Sequence, residues 1–142
     1  MEDLQRLTRR QLDALRSIRL GETEAQGVSL NEIAEDLRVR PPSALEHVTA
    51  LERLGLVDRY RGKSRLTARG RKCEAEYQRH HRVAEHMFAR LGFPTTELCA
   101  AAREVDLALD HRTVERLCRI GGHPAVCPHG EPIPPCPERR TR

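Results

Sequence analysis

The segment covering residues 29–70, SLNEIAEDLRVRPPSALEHVTALERLGLVDRYRGKSRLTARG, constrains the fold more than any other part of the chain. Ser29 is placed to N-cap a helix while the Glu32 side chain returns to the Ser29 N–H, and Ile33, Ala34 and Leu37 follow as a short apolar stripe. This predicts a helix over residues 30–37. Residues 38–41 form a turn, and Pro42 suits the first position of the next helix, where its missing N–H costs no hydrogen bond. Val48, Leu51 and Leu54 share an inward face. Gly55 closes that helix, residues 56–60 and 64–66 alternate like strands, and Arg61-Gly62 supplies the turn between them.

Helix, turn, helix and hairpin in this order are the parts of a winged helix-turn-helix, which makes double-stranded DNA the expected partner. Ser43, Glu46, His47 and Arg40 are left outward at the N-terminal end of the second helix, with Pro42 at its start, and that end is the one a recognition helix presents to the major groove. Between residues 59 and 72 the chain carries Arg59, Arg61, Lys63, Arg65, Arg69, Arg71 and Lys72 and no acidic residue. A basic run is often only a solvated face. Beside a helix-turn-helix it points to phosphate contacts, with Arg59, Arg61, Lys63 and Arg65 on the wing itself.

The formal charge of +4 is too small to argue for nucleic acid, so the case rests on where the cations cluster. A chain of 142 residues is long enough for one or two small domains. No apolar run reaches membrane-spanning length and MEDLQRLTRRQ lacks a signal-peptide layout, so a cytoplasmic protein with no membrane partner is expected. Cys73, Cys99, Cys118, Cys127 and Cys136 would meet a reducing compartment, where metal or thiol chemistry is a better use for an odd number of thiols than a disulfide framework. No nucleophile paired with a base and no phosphate loop is present, so an enzyme is not expected.

Elsewhere, Thr8 with Gln11 signals a helix through residue 20 that presents Leu12, Leu15 and Ile18 to a core. Thr67 caps a long helix to about residue 90, Pro94 with Thr95 and Thr96 opens another to about residue 109, and Asp110 caps a last one to residue 120. Six of the nine prolines follow Gly122, which predicts an extended tail rather than a packed element. The expected organisation is mainly α, with a winged helix-turn-helix domain over 1–72, an all-helical domain over 73–122 and a Pro-rich, Cys/His-containing tail over 123–142.

The order LTRRQLDAL, EIAEDLRVRPPSALEHVTALERLGLV, LTARG, HRVAE and CPHGEPIP resembles the DtxR/MntR family of metal-dependent transcriptional repressors, in its short form without a C-terminal SH3-like domain. The resemblance implies a homodimer whose helical domain supplies the dimer contact and the metal sites, Fe(II) or Mn(II) as co-repressor, a near-palindromic operator and control of metal-homeostasis genes. Carried over residue by residue, it implies His81 and Glu85 of HRVAE as ligands. Counting without a gap from Gly92 to Asp110 adds Cys99 and Asp106, and Asp13 matches a ligand position on the first helix. Arg103 and Leu107 stand where relatives carry ligands, so the second ion site is expected to be damaged, with Arg103 as a built-in cation that pairs with Asp13 or Asp106.

These residues have other possible uses. Cys118, Cys127 and Cys136 could form a second, cysteine-based site, with Cys99 a fourth soft ligand for Zn(II) or an iron–sulfur cluster, although the spacings match no standard knuckle. CPHG could instead serve to dock the tail, and His80, His86 and His111 are expected to face solvent. The alternative functions are a regulator of the same fold that responds through cysteine oxidation or a cysteine-bound cofactor, and a metal-binding or protein-interaction dimer that keeps the winged helix only as scaffold.

Overall fold

The computed structural model describes residues 2–136; residues 137–142 of the expected tail lie outside them. The chain divides into two compact units, one over Arg6–Glu74 and the other from Ala75 onward together with Asp3–Gln5.

In the N-terminal unit, capping boxes start both of the first long helices. After a short α1 (Glu2–Gln5), whose residues 3–5 belong to the other unit, α2 (Arg9–Gly21) begins where the Thr8 hydroxyl accepts from Gln11 N–H and the Gln11 side chain returns to Thr8 N–H. Strand β1 (Val28–Ser29) leads into α3 (Leu30–Leu37), where Ser29 and Glu32 make the same reciprocal pair. α4 (Pro41–Arg53) starts one residue earlier than the sequence pattern suggests, with Arg40 as N-cap. Pro41 and Pro42 therefore occupy the first two helical positions, where neither missing N–H has an intrahelical acceptor. Leu12, Leu15, Ile18, Ile33, Val48 and Leu51 from these three helices are fully buried and form the core. At about 25 cal/mol per Å² of apolar surface, each such side chain stabilises the unit by roughly 1.5–3 kcal/mol.

Strands β2 (Val57–Tyr60) and β3 (Lys63–Leu66) pair antiparallel with Tyr60 opposite Lys63, so Arg61-Gly62 is the two-residue hairpin loop. Both loop residues have positive φ, 49° and 73°, the conformation whose twist suits a tight hairpin. β1 pairs with the other edge of β3, a third strand too short to leave an alternating pattern in the sequence. Thr67 then starts α5 (Ala68–Arg90): its hydroxyl donates to Gly55 C=O and accepts from Gly70 N–H. Gly70 is required by space, since a Cβ there would lie 2.0 Å from the Leu56 carbonyl oxygen.

α5 continues into the C-terminal unit. A 3-10 turn (Thr95–Glu97) opens α6 (Leu98–Val105), which stops short of the expected residue 109. Asp110 must take an extended backbone to cap α7 (His111–Ile120) through Thr113 N–H, and the chain leaves the helix through tight turns onto the Val105 carbonyl to reach it. Among the described residues, the segment after α7 has no regular element beyond one bridge, Val126 with Pro132. It is nevertheless packed: Cys127, Ile133 and Cys136 are buried in one cluster with Val83, Val114 and Cys118. This corrects the expectation of an unpacked tail. Proline density removes backbone donors but does not stop intervening side chains from entering a core.

Candidate DNA-binding surface and metal centre

The N-terminal unit exposes a connected set of the expected contact residues. Arg40, Pro42, Ser43 and Glu46 are exposed at the start of α4, with His47 half-buried, while Ala44 and Val48 on the opposite face are buried. On the hairpin, Arg59, Tyr60, Arg61 and Lys63 are exposed, and the Arg61 guanidinium lies over the Tyr60 ring, 5.2 Å from its centre. That stacking holds the tip cation while leaving its N–H groups outward. Arg65 is placed differently from the sequence expectation. It donates to the carbonyls of Thr23 and Glu24, at 2.8 and 3.0 Å, and so pins the loop before β1. Arg71 is likewise structural, bonded to Leu66 C=O and to the Glu22 carboxylate. Within the basic run, Arg59, Arg61 and Lys63 are exposed on the hairpin, and Arg69 and Lys72 are exposed beyond it.

In the C-terminal unit α5 carries two consecutive pairs at four-residue spacing, Glu76 with His80 and His81 with Glu85. The two pairs differ in kind. His81 Nε2 is 3.3 Å from Glu85 Oε1 and 3.6 Å from Cys99 Sγ on α6. A tetrahedral ion with metal–nitrogen and metal–oxygen bonds of about 2.0–2.1 Å and metal–sulfur bonds of about 2.3 Å separates N from O by about 3.3 Å and N from S by about 3.5–3.6 Å. His81, Glu85 and Cys99 are therefore spaced as ligands of one ion. Around Glu76 the separations are shorter: 3.0 Å to His80 Nε2 and 2.6 Å to His111 Nδ1, which are hydrogen-bond lengths. Burial pushes the Glu76 carboxyl up, but the hydrogen bonds of the two imidazoles outweigh it and hold the pKa at about 2. His80 is buried and His86 and His111 are half-buried, against the expectation that all three face solvent.

Asp106 is fully buried and stands behind His81: its Oδ2 takes hydrogen bonds from Tyr77 Oη and His81 Nδ1, both at 2.8 Å. A carboxylate on Nδ1 fixes the tautomer that leaves Nε2 free to ligate. The family resemblance implies Asp106 as a ligand; here it lies behind His81, hydrogen-bonded to Nδ1 of that ring. Arg103 is exposed on α6, and Asp13 lies on α2 in the N-terminal unit.

Two histidines of the last segment join these groups of donors. CPHG forms a tight turn, Gly130 N–H to Cys127 C=O, which brings His129 Nδ1 to 3.3 Å from Glu85 Oε1 and groups Cys127 with the same carboxylate. Cys118 and Cys136 converge on His123, not on Cys127. The four thiols considered for one cluster are thus divided among three groups, and no cluster of four thiolates forms among the described residues.

Residues 67–135 match the family described as iron dependent repressor, metal binding and dimerisation domain, and residues 4–66 match the LexA DNA binding domain. The iron-dependent repressor IdeR of Mycobacterium tuberculosis is 32% identical over 107 residues, 72% of this chain and 45% of that protein, so the chain spans about half the length of its curated relative. Among solved structures, the hypothetical protein SSo2273 from Sulfolobus solfataricus is 30% identical with a TM-score of 0.84, covering 90% of this chain and 99% of that one. A manganese-dependent transcriptional repressor complexed with manganese is 31% identical with a TM-score of 0.73, covering 86% of this chain and 57% of that one. With a winged helix-turn-helix, a helical unit carrying the His-Glu pair of HRVAE, and these matches across both units, the chain belongs to the DtxR/MntR family of metal-dependent transcriptional repressors.

Proposed function

We propose that the protein is a homodimeric, metal-responsive repressor, rather than an enzyme, acting in the cytoplasm on a near-palindromic operator of metal-homeostasis genes. The observation that carries this reading is the trio His81, Glu85 and Cys99, set at the separations of a tetrahedral ion and backed by the Asp106 carboxylate. A divalent ion held there ties α5 to α6 and supplies the charge that lets a carboxylate and a thiolate sit together. Cys99 in the ligand set favours Fe(II) over Mn(II), because thiolates prefer the softer of the two ions. Leu91, Ile120 and Val126 are large apolar side chains exposed on the C-terminal unit, a surface suited to a partner subunit. No described helix is long and apolar enough to cross a membrane.

The test is anaerobic fluorescence anisotropy on duplexes enriched from a random pool in the presence of Fe(II). Affinity should rise with Fe(II) by a factor within the usual allosteric range of about 5–150 and fall back with chelator, and His81→Ala should remove the response. Arg59→Ala with Arg61→Ala should weaken binding to every duplex and flatten its salt dependence by about one to two lost phosphate contacts. DNA affinity indifferent to Fe(II) and Mn(II) would overturn the metal-responsive reading. A wing double variant that binds as the parent does would overturn the DNA-binding surface.

A further inference from the structure

A third group of donors lies apart from the metal centre and joins α7 to the segment that follows it. Cys118 is buried in the last turns of α7, Cys136 is buried at the end of the described chain, and His123 sits between them with a left-handed backbone, φ 53°. Cys118 Sγ is 3.6 Å and Cys136 Sγ 3.5 Å from the same atom, His123 Nδ1. An imidazole nitrogen has either one proton or one lone pair, so hydrogen bonding accounts well for one of these sulfurs and poorly for both. Both separations equal the sulfur–nitrogen distance of about 3.5–3.6 Å across a tetrahedral zinc ion.

We propose that Cys118, His123 and Cys136 bind a structural Zn(II) ion that fastens the Pro-rich segment to α7, with the fourth position taken by solvent or another small donor. Two thiolates neutralise the ion, and the buried Arg79 guanidinium beside Cys118 is itself balanced by its ion pair with Glu115. With two sulfur donors and no carboxylate, this site is softer than the one formed by His81, Glu85 and Cys99, and so better suited to Zn(II). Few other contacts among the described residues fasten the segment: Arg82 donates to Pro132 C=O, and His129 Nε2 meets Thr95 C=O. The segment has a single isolated bridge, yet it must hold Cys127 and Ile133 in the core and keep the CPHG turn against Glu85. A metal cross-link stabilises a short, irregular segment through the folded state alone, since the ligands are not assembled in the unfolded chain.

The experiment uses the full chain and its Cys99→Ala variant, purified anaerobically, with zinc measured per chain and then replaced by Co(II). The Cys99→Ala protein should retain one zinc per chain through dialysis against EDTA. Its cobalt form should show the intense visible bands of tetrahedral Co(II) with sulfur-to-cobalt charge transfer, and Cys118→His in that background should keep the metal and halve the charge-transfer intensity. Alkylation read by mass spectrometry covers the case in which Cys118→His fails to fold. In the parent, Cys118 and Cys136 should resist iodoacetamide until a strong chelator removes zinc. Absence of tetrahedral cobalt bands in Cys99→Ala, a Cys118–Cys136 disulfide in the anaerobic protein, or alkylation unaffected by zinc removal would each overturn the assignment. None of these outcomes depends on whether DNA binding responds to Fe(II).

Discussion

The two units are built by different means. The N-terminal unit holds itself with apolar helix faces, two reciprocal capping boxes and a close backbone approach at Gly70. The C-terminal unit buries Arg79, His80, Glu85 and Asp106 alongside an apolar cluster that includes Cys118, Cys127 and Cys136, so charged and polar groups enter its core. In the first unit stability is set by backbone fit, and the functional side chains are what is left on the outside. In the second the groups that hold the unit together and the groups that do its chemistry are the same or adjacent, so substitutions there should be harder to separate into structural and functional effects.

The sharpest way to break this contrast is Arg79→Ala. The guanidinium is buried with Glu115, and removing it strands a carboxylate, which should cost about 3–5 kcal/mol in urea unfolding. Replacing both partners by leucine should recover most of the loss; if Arg79→Ala costs under about 1 kcal/mol, the unit does not rest on paired charges. Next in size, Gly70→Ala should destabilise by about 1–3 kcal/mol or more, because a Cβ 2.0 Å from the Leu56 carbonyl forces α5 away from the connection between α4 and β2. A neutral Gly70→Ala would show that backbone fit is not limiting in the first unit.

Acid should act on the C-terminal unit through Glu76, and at the exposed Glu32 cap in the first unit. The Glu76 pKa is lowered from 4.5 to about 2, so its contribution is present above pH 4.5 and is lost as pH falls from there towards 2. Glu76→Gln should flatten the stability profile over that interval, with chemical denaturation at several pH values as the measurement; an unchanged slope would remove the His80–Glu76–His111 bridge as a source of stability. The smallest effect is expected at Lys63 and Glu32, an exposed pair at 3.9 Å, where Lys63→Gln should leave the Tm unmoved.

What could be read from the residues follows the same division. Caps, the Arg61-Gly62 hairpin and the helix boundaries of the first unit depend on neighbours within four residues, and the sequence displays them. Two local rules were misjudged: the α4 start, where two adjacent prolines both fit the first turn, and the α6 end, which Asp110 sets from the next helix. In the second unit His81 and Glu85 were visible as a four-residue pair, but the role of Asp106 depends on Tyr77 from a helix 29 positions away. His129 and His123 are brought in by a segment with almost no regular hydrogen bonding, for which no periodic signal exists. Arg65 was misread for a related reason, since its target carbonyls lie more than 40 residues earlier.

The wing tip shows what a sequence of this kind resists. Arg61 holds a left-handed backbone that asparagine or glycine adopts more readily. Selection for thermal robustness alone would drift that position towards Asn-Gly, and each step would tighten the hairpin while removing the cation at its end. A consensus drawn from hairpins in general is therefore a poor guide for engineering this one. A stabilised Arg61→Asn protein is expected to be the version that has lost part of its grip on DNA.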